Sequence, residues 1–155
     1  MSFVITGLDP AEFDSLVGLP DEALAVRGVI RRVVDKTPGY PCRVTLEDAE
    51  PGERVLLLNY ESHSAPTPYR STYAIYVRED AKEAPTYEDE IPPVFRGRPL
   101  SFRHFDEAGM LIGASLVTDA HVKEAISRAF GDPNTAYIDA HNAAHGCFAA
   151  RINRA

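Results

Sequence analysis

Short stretches of apolar and β-branched residues recur along most of the chain, several of them alternating with polar residues, and they predict β-strands. Residues 54–60 are the most apolar stretch, which is typical of a strand covered on both faces. Proline, glycine and small polar residues separate the stretches and mark turns. The predicted strands are residues 3–8, 26–35, 41–46, 54–60, 72–78, 100–105, 110–118, 135–139 and 147–153.

Helical patterns occur near the two ends of the chain. Asp9 followed by Pro10 is typical of a helix start and Gly18 of a helix end, so a short helix is predicted there. Apolar residues spaced i, i+3, i+4 and i+7 predict a second helix over residues 119–130. Its apolar positions are Val122, Ala125, Ile126 and Ala129.

Strands joined mostly by short turns, with one helix near each end, predict the α+β class with a largely antiparallel, curved or barrel-like sheet. At 155 residues the chain is expected to form a single domain, residues 1–155. Residues 79–93 are rich in proline and acidic residues and lack periodicity, which predicts a mobile segment. We therefore expect removal of residues 79–90 to change stability little.

The net charge of −7 argues against nucleic-acid binding, because the chain as a whole repels phosphate. A small anion held by one or two arginines is still compatible with that charge. No apolar stretch reaches the ~18 residues of a membrane span, and the N-terminus lacks the features of a signal peptide. We therefore expect a cytoplasmic protein with no membrane partner, in which Cys42 and Cys147 are reduced thiols.

The densest group of chemically active residues lies in residues 136–152, at the turn between the last two predicted strands. His141, Asn142, His145 and Cys147 fall within seven positions there. Two imidazoles and a thiol are ligand types that zinc prefers, with Cys42 or Asp139 as a further ligand. Their spacing is not a common zinc pattern, so we assign no metal site and predict no cofactor. The alternative is a hairpin held by polar contacts.

The same turn could hold a nucleophilic thiol. Cys147 with His141 or His145 and Asn142 has the residue types of a Cys-His-Asn site. Cys42 is the rival nucleophile, since Arg43 follows it directly. The simpler interpretation is that both cysteines are buried structural residues.

Arginines within patterned segments suggest a third kind of site, a polar pocket for a small ligand. Arginine is suited to bidentate binding of carboxylate or phosphate. The alternative is that each arginine pairs with one of the chain's 23 acidic residues. The candidate pocket residues are Arg43, Arg70, Arg103 and Arg151, with Tyr40, Tyr69, His104, His141 and Asn142.

Several local motifs together resemble a known family. They are PGYPCR (38–43), LEDA (46–49), GE (52–53) before VLLL (55–58), PYR (68–70), RPLSFR (98–103), and YI (137–138) through HN (141–142) to GCFAAR (146–151). These segments resemble the bacterial domain-of-unknown-function family 1203. The resemblance covers nearly the whole chain, implies no activity and assigns no catalytic residue.

The favoured function is a binding module for a small ligand, with an anion as one option, or for a protein partner. A sheet edge could also support a homodimer. The alternatives are a thiol-dependent transferase or hydrolase that uses the 141–147 turn, and a metal-binding protein.

Overall fold

The computed structural model describes the whole chain, Met1–Ala155. Nine strands and two short α-helices account for most of the regular structure, together with three turns of 3₁₀ helix. The strands are β1 (Phe3–Thr6), β2 (Ile30–Val33), β3 (Arg54–His63), β4 (Ser71–Arg78), β5 (Thr86–Glu88), β6 (Leu100–Phe105), β7 (Leu111–Val117), β8 (Tyr137–Asn142) and β9 (Phe148–Arg154). The helices are α1 (Asp21–Val26) and α2 (Val122–Phe130), and the 3₁₀ turns are Pro10–Leu16, Pro93–Phe95 and Asp119–His121.

The strands form two antiparallel sheets. The larger has six strands in the order β5-β1-β9-β8-β6-β7, and the smaller has three in the order β2-β3-β4. The predicted α+β class with a largely antiparallel sheet is therefore confirmed. Both sheets end in edge strands, so neither closes into a barrel.

The main core lies where α2 packs against the six-stranded sheet. The helix buries the predicted positions Val122, Ile126 and Ala129, together with Phe130. A second core forms beneath the three-stranded sheet, where Leu24 of α1 and other apolar residues of the N-terminal region pack. Neither helix is long and apolar enough to cross a lipid bilayer.

The predicted helix start at Asp9 is confirmed, but the type of helix differs from the prediction. Asp9 Oδ1 accepts a hydrogen bond of 2.9 Å from the Ala11 backbone N–H, as an N-cap does, but the turn that follows is a 3₁₀ helix. The α-helix proper, α1, comes after Pro20.

The predicted strand over residues 41–46 is wrong. This segment forms only isolated bridges, Pro41 with Asp48 and Cys42 with Tyr76, and then turns back on itself. Leu46 adopts a φ of 54°, and its N–H donates to Cys42 O at 3.0 Å. The turn brings the Val44 carbonyl so close to Gly7 that a Cβ on Gly7 would lie 1.8 Å from its oxygen. Position 7 therefore requires glycine.

The prediction that residues 79–93 are a mobile segment is also wrong. β5 pairs with β1 at the sheet edge, and Asp89 accepts hydrogen bonds from Phe3 N–H at 2.9 Å and Ser2 Oγ–H at 2.7 Å. The strand has three residues, too few to show a periodicity in the sequence. Loss of residues 79–90 would remove these contacts and is therefore expected to destabilise the fold.

Two neighbouring residues of β5 test this correction. Tyr87 pairs with the fully buried Ile5 and packs against the main core, whereas Glu88 is exposed. We expect Tyr87→Ala to lower the free energy of unfolding by roughly 1–3 kcal/mol, less than for a fully buried aromatic residue. Glu88→Ala, the control in the same strand, should have little effect. Equal urea midpoints for the two variants would show that β5 is not anchored.

Candidate functional site

A cleft of about 630 Å³ opens beside the loop of residues 143–147, which joins β8 to β9. β4 and the segment before β6 form its other walls. No acidic residue lines this cleft. The lining residues are Gly39, Pro41, Arg43, Leu57, Tyr73, Ala74, Tyr76, Gly97, Arg98, Pro99, Asn142, Ala143, Ala144, His145 and Cys147.

Arg43 is a buried cation that lines this cleft. Its backbone is fixed because Arg43 N–H donates to Tyr76 O at 3.0 Å and Arg43 O accepts from Leu8 N–H at 2.9 Å. The guanidinium donates from Nε to Phe148 O at 2.8 Å and from Nη1 to Pro41 O at 2.6 Å. The residue is 2% exposed, and it is the chain's one buried arginine.

Arg43 forms no ion pair with a carboxylate. Its remaining hydrogen-bond partner is Cys147, whose Sγ accepts from Arg43 Nη2 at 3.2 Å. Burial lowers the pKa of the Arg43 guanidinium, while the nearby Cys147 sulfur acts in the opposite direction. Arginine stays protonated in proteins, so the structure holds a positive charge at the cleft to which no carboxylate is bonded.

Cys147 Sγ has a second donor, Asn142 Nδ2 at 3.4 Å. Backbone hydrogen bonds hold the loop between these two residues. Asn142 N–H donates to Cys147 O at 2.9 Å, and Gly146 N–H donates to Asn142 O at 2.7 Å. Gly146 has a φ of 78°, a conformation that favours glycine and lets the chain enter β9 with Cys147 beside Arg43.

His141 lies behind the loop rather than on the cleft. It is 2% exposed, and its Nδ1 donates to Gly146 O at 2.9 Å, since a carbonyl can only accept. Its ring meets the Tyr73 ring edge-on, with centroids 4.9 Å apart. Burial lowers the pKa of His141 to about 4, although the Gly146 bond acts in the opposite direction. The residue is therefore neutral near pH 7 and holds the loop in place.

The other predicted site residues lie elsewhere. Arg103 does not line the cleft. It donates a hydrogen bond of 2.6 Å to the hydroxyl of Tyr73, which does. Arg151 pairs with the fully buried Asp139 at 2.7 Å, so for this arginine the ion-pair alternative describes the contact. Tyr69 packs edge-on against Phe105, with ring centroids 6.4 Å apart.

Cys42 is fully buried in the second core. Its Sγ accepts from the backbone N–H groups of Thr45 at 3.4 Å and Arg78 at 3.2 Å. The Arg43 guanidinium does not bond this thiol and donates instead to Cys147 Sγ at 3.2 Å. Nowhere in the chain do three or more His, Cys, Asp or Glu side chains form a group that could hold a metal ion.

Among the cleft residues that the sequence did not predict are one arginine and two tyrosines. Arg98 holds Asp48 through two hydrogen bonds of 2.8 and 2.5 Å and borders the cleft with its charge already neutralised. Tyr73 and Tyr76 supply aromatic walls from β4. Of these three residues, only Arg98 lies in one of the local sequence motifs, RPLSFR.

Comparison with known proteins gives a family. The family model described as "Protein of unknown function (DUF1203)" matches residues 39–154. The chain belongs to this family. No curated protein and no solved structure matched the chain. The DUF1203 match includes Arg43, Asn142 and Cys147, so the contacts around the Cys147 sulfur lie within the family region.

The lowered pKa of His141 predicts a pH dependence. The unfolded chain binds a proton at this side chain below about pH 6.5, whereas the folded protein does so only near pH 4. Stability should therefore fall as the pH drops from 6.5 to 4, by roughly 3 kcal/mol from this residue. Urea unfolding at several pH values should show a flatter dependence for His141→Gln than for the wild type.

His121→Gln is the control, since His121 is exposed on the surface. Its pH dependence should match that of the wild type. If His141→Gln has the same slope as the wild type, His141 is not held neutral by burial.

Proposed function

We propose that this protein binds a small organic anion in the cleft beside Arg43. One observation carries the proposal: the only buried arginine has no carboxylate partner, and it lies at a cleft that no acidic residue lines. A buried charge without a counter-charge is costly. A bound carboxylate or phosphate group would supply the missing negative charge.

The lack of acidic residues is local to this cleft. The chain carries a net charge of −7, and the three other sizeable clefts all have acidic residues in their linings. Glu124, Asp106 and Glu79 are examples, one from each. The electrostatic field of this cleft therefore favours anions although the protein as a whole is acidic. This contrast supports selective binding of an anion at the cleft.

Further hydrogen-bond donors surround the cleft. Asn142 Nδ2 lies at the thiol, and the backbone N–H groups of Ala144 and His145 make no hydrogen bond within the protein. Backbone N–H groups of tight turns commonly bind anions. The loop of residues 143–147 therefore supports the proposal with neutral donors beside the Arg43 charge.

The size and walls of the cleft favour an organic anion over a bare inorganic ion. Its volume of about 630 Å³ lies within the range common for small-molecule sites. Leu57, Tyr73, Tyr76 and Pro99 supply apolar surface. A protein partner and a homodimer stay predictions from the sequence.

A matched pair of loop variants tests the proposal. Ala144 is exposed and lines the cleft, so substitutions there should not disturb folding. Sodium succinate, titrated at constant ionic strength, should shift the backbone amide signals of residues 142–147 in NMR spectra. Ala144→Asn should retain binding, whereas Ala144→Asp should weaken it about tenfold by charge repulsion.

The Asn and Asp side chains differ in charge and hardly in size. A difference in affinity between the two variants therefore reports the charge and not a change in loop shape. Equal affinity in both, or shifts spread over exposed arginines, would contradict anion binding at this cleft.

A further inference from the structure

We propose that Cys147 is a nucleophilic thiolate, and that it attacks an electrophilic carbon of a small anionic molecule held in the same cleft. This inference rests on the proposed function, because the substrate's anionic group is what the cleft would bind. It goes further by assigning a reacting atom, a class of substrate and a reaction step.

The first support is the pair of donors on the sulfur. Arg43 Nη2 lies 3.2 Å from Cys147 Sγ, and Asn142 Nδ2 lies 3.4 Å from it. Hydrogen bonds from a cationic donor strengthen when the acceptor is ionised. The other guanidinium nitrogens are fixed on Phe148 O and Pro41 O, so Arg43 is held beside the sulfur.

The second support is charge balance. Of the three groups that accept hydrogen bonds from Arg43, two are neutral carbonyls. Cys147 is the only one that can carry a negative charge. An ionised Cys147 would therefore offset the buried guanidinium only until the reaction turns the sulfur into a neutral thioether. The free backbone N–H groups of residues 144–145 would help to bind the substrate's anionic group beside the thiolate.

Comparison with Cys42 shows that this environment is particular to Cys147. Cys42 is fully buried, receives only backbone N–H donors and packs among apolar side chains. Cys147 is partly exposed and lines the cleft. Reactive cysteines are typically accessible and electropositive in their surroundings, and only Cys147 meets both conditions.

The reaction step needs no base at the sulfur. A lone pair of Sγ forms the S–C bond while the bond from that carbon to its leaving group breaks, and the leaving group departs with the electron pair. No oxidant, reductant or proton donor enters the step. Sγ becomes a neutral thioether, and the substrate's own anionic group then remains as the counter-charge to Arg43.

His141 is a positioning residue in this scheme. Its Nδ1 donates to Gly146 O, one residue before the nucleophile, and no hydrogen bond joins either ring nitrogen to Sγ. It holds the loop so that Cys147 stays beside Arg43.

Iodoacetate and iodoacetamide test the proposal, since they share a carbon electrophile and differ in charge. Labelling of the full chain at pH 7 is followed by peptide mass spectrometry, with Cys42 as internal control and glutathione as the free-thiol reference. We expect Cys147 to react about tenfold or more faster than glutathione. The rate of Cys147 labelling by iodoacetate should saturate as the iodoacetate concentration rises. The ratio of the iodoacetate rate to the iodoacetamide rate should be higher for Cys147 than for glutathione.

Asn142→Ala tests the second donor without removing the buried charge. It should slow labelling of Cys147 about fivefold, the effect of one lost hydrogen bond. Asn153→Ala, the same change at an exposed position of β9 outside the cleft, should not slow it. Arg43 variants are avoided as the main test, because loss of a buried arginine with three hydrogen bonds threatens folding.

The outcomes separate the two proposals. If neither reagent labels Cys147 faster than glutathione while succinate still shifts the loop amides, the nucleophile is overturned and anion binding stands. If iodoacetamide reacts rapidly but iodoacetate shows neither saturation nor a raised ratio, the anionic substrate class is overturned. If succinate also produces no shifts, the proposed function fails with it.

Discussion

The buried guanidinium of Arg43 is the interaction on which the rest of the site depends. It joins two separate parts of the chain: the turn at residues 41–46, and the place where the loop of residues 143–147 enters β9. Without these contacts, the two walls of the cleft would not be tied together. The same contacts leave a positive charge with no carboxylate partner. A negative group bound at this place would therefore stabilise the folded protein.

The two sheets supply the frame that makes this burial possible. Tyr60 of β3 lies against Phe148 of β9, with ring centroids 6.4 Å apart, and Tyr73 of β4 lies against His141 of β8. Arg151 adds a polar link, since it pairs with Asp139 and donates to Ser62 O at 3.2 Å. The neutral His141 completes the frame, because its bond to Gly146 fixes the loop that carries the thiol.

Local patterns predicted the parts of the structure that local interactions determine. The apolar spacing of α2 and the hairpin of β6 and β7 were predicted, and so was a polar turn between the last two strands. Cys147 and Asn142 lie five positions apart at that turn, so their contact could be expected. β5 was missed because three residues cannot show a periodicity, and its position depends on pairing with β1.

The decisive contact of the site could not be predicted, because Arg43 and Cys147 are 104 positions apart. The sequence also could not distinguish Arg43 from Arg151, since the partner of Arg151 is set by the register of β8 and β9.

The most direct test of the account is the crystal structure of the protein from crystals grown with succinate. We predict a carboxylate group in the cleft, within hydrogen-bond distance of Asn142 or of the backbone N–H groups of residues 144–145, and on the Arg43 side. Succinate bound only at exposed arginines, with the cleft filled by water, would contradict the claim that Arg43 creates an anion site.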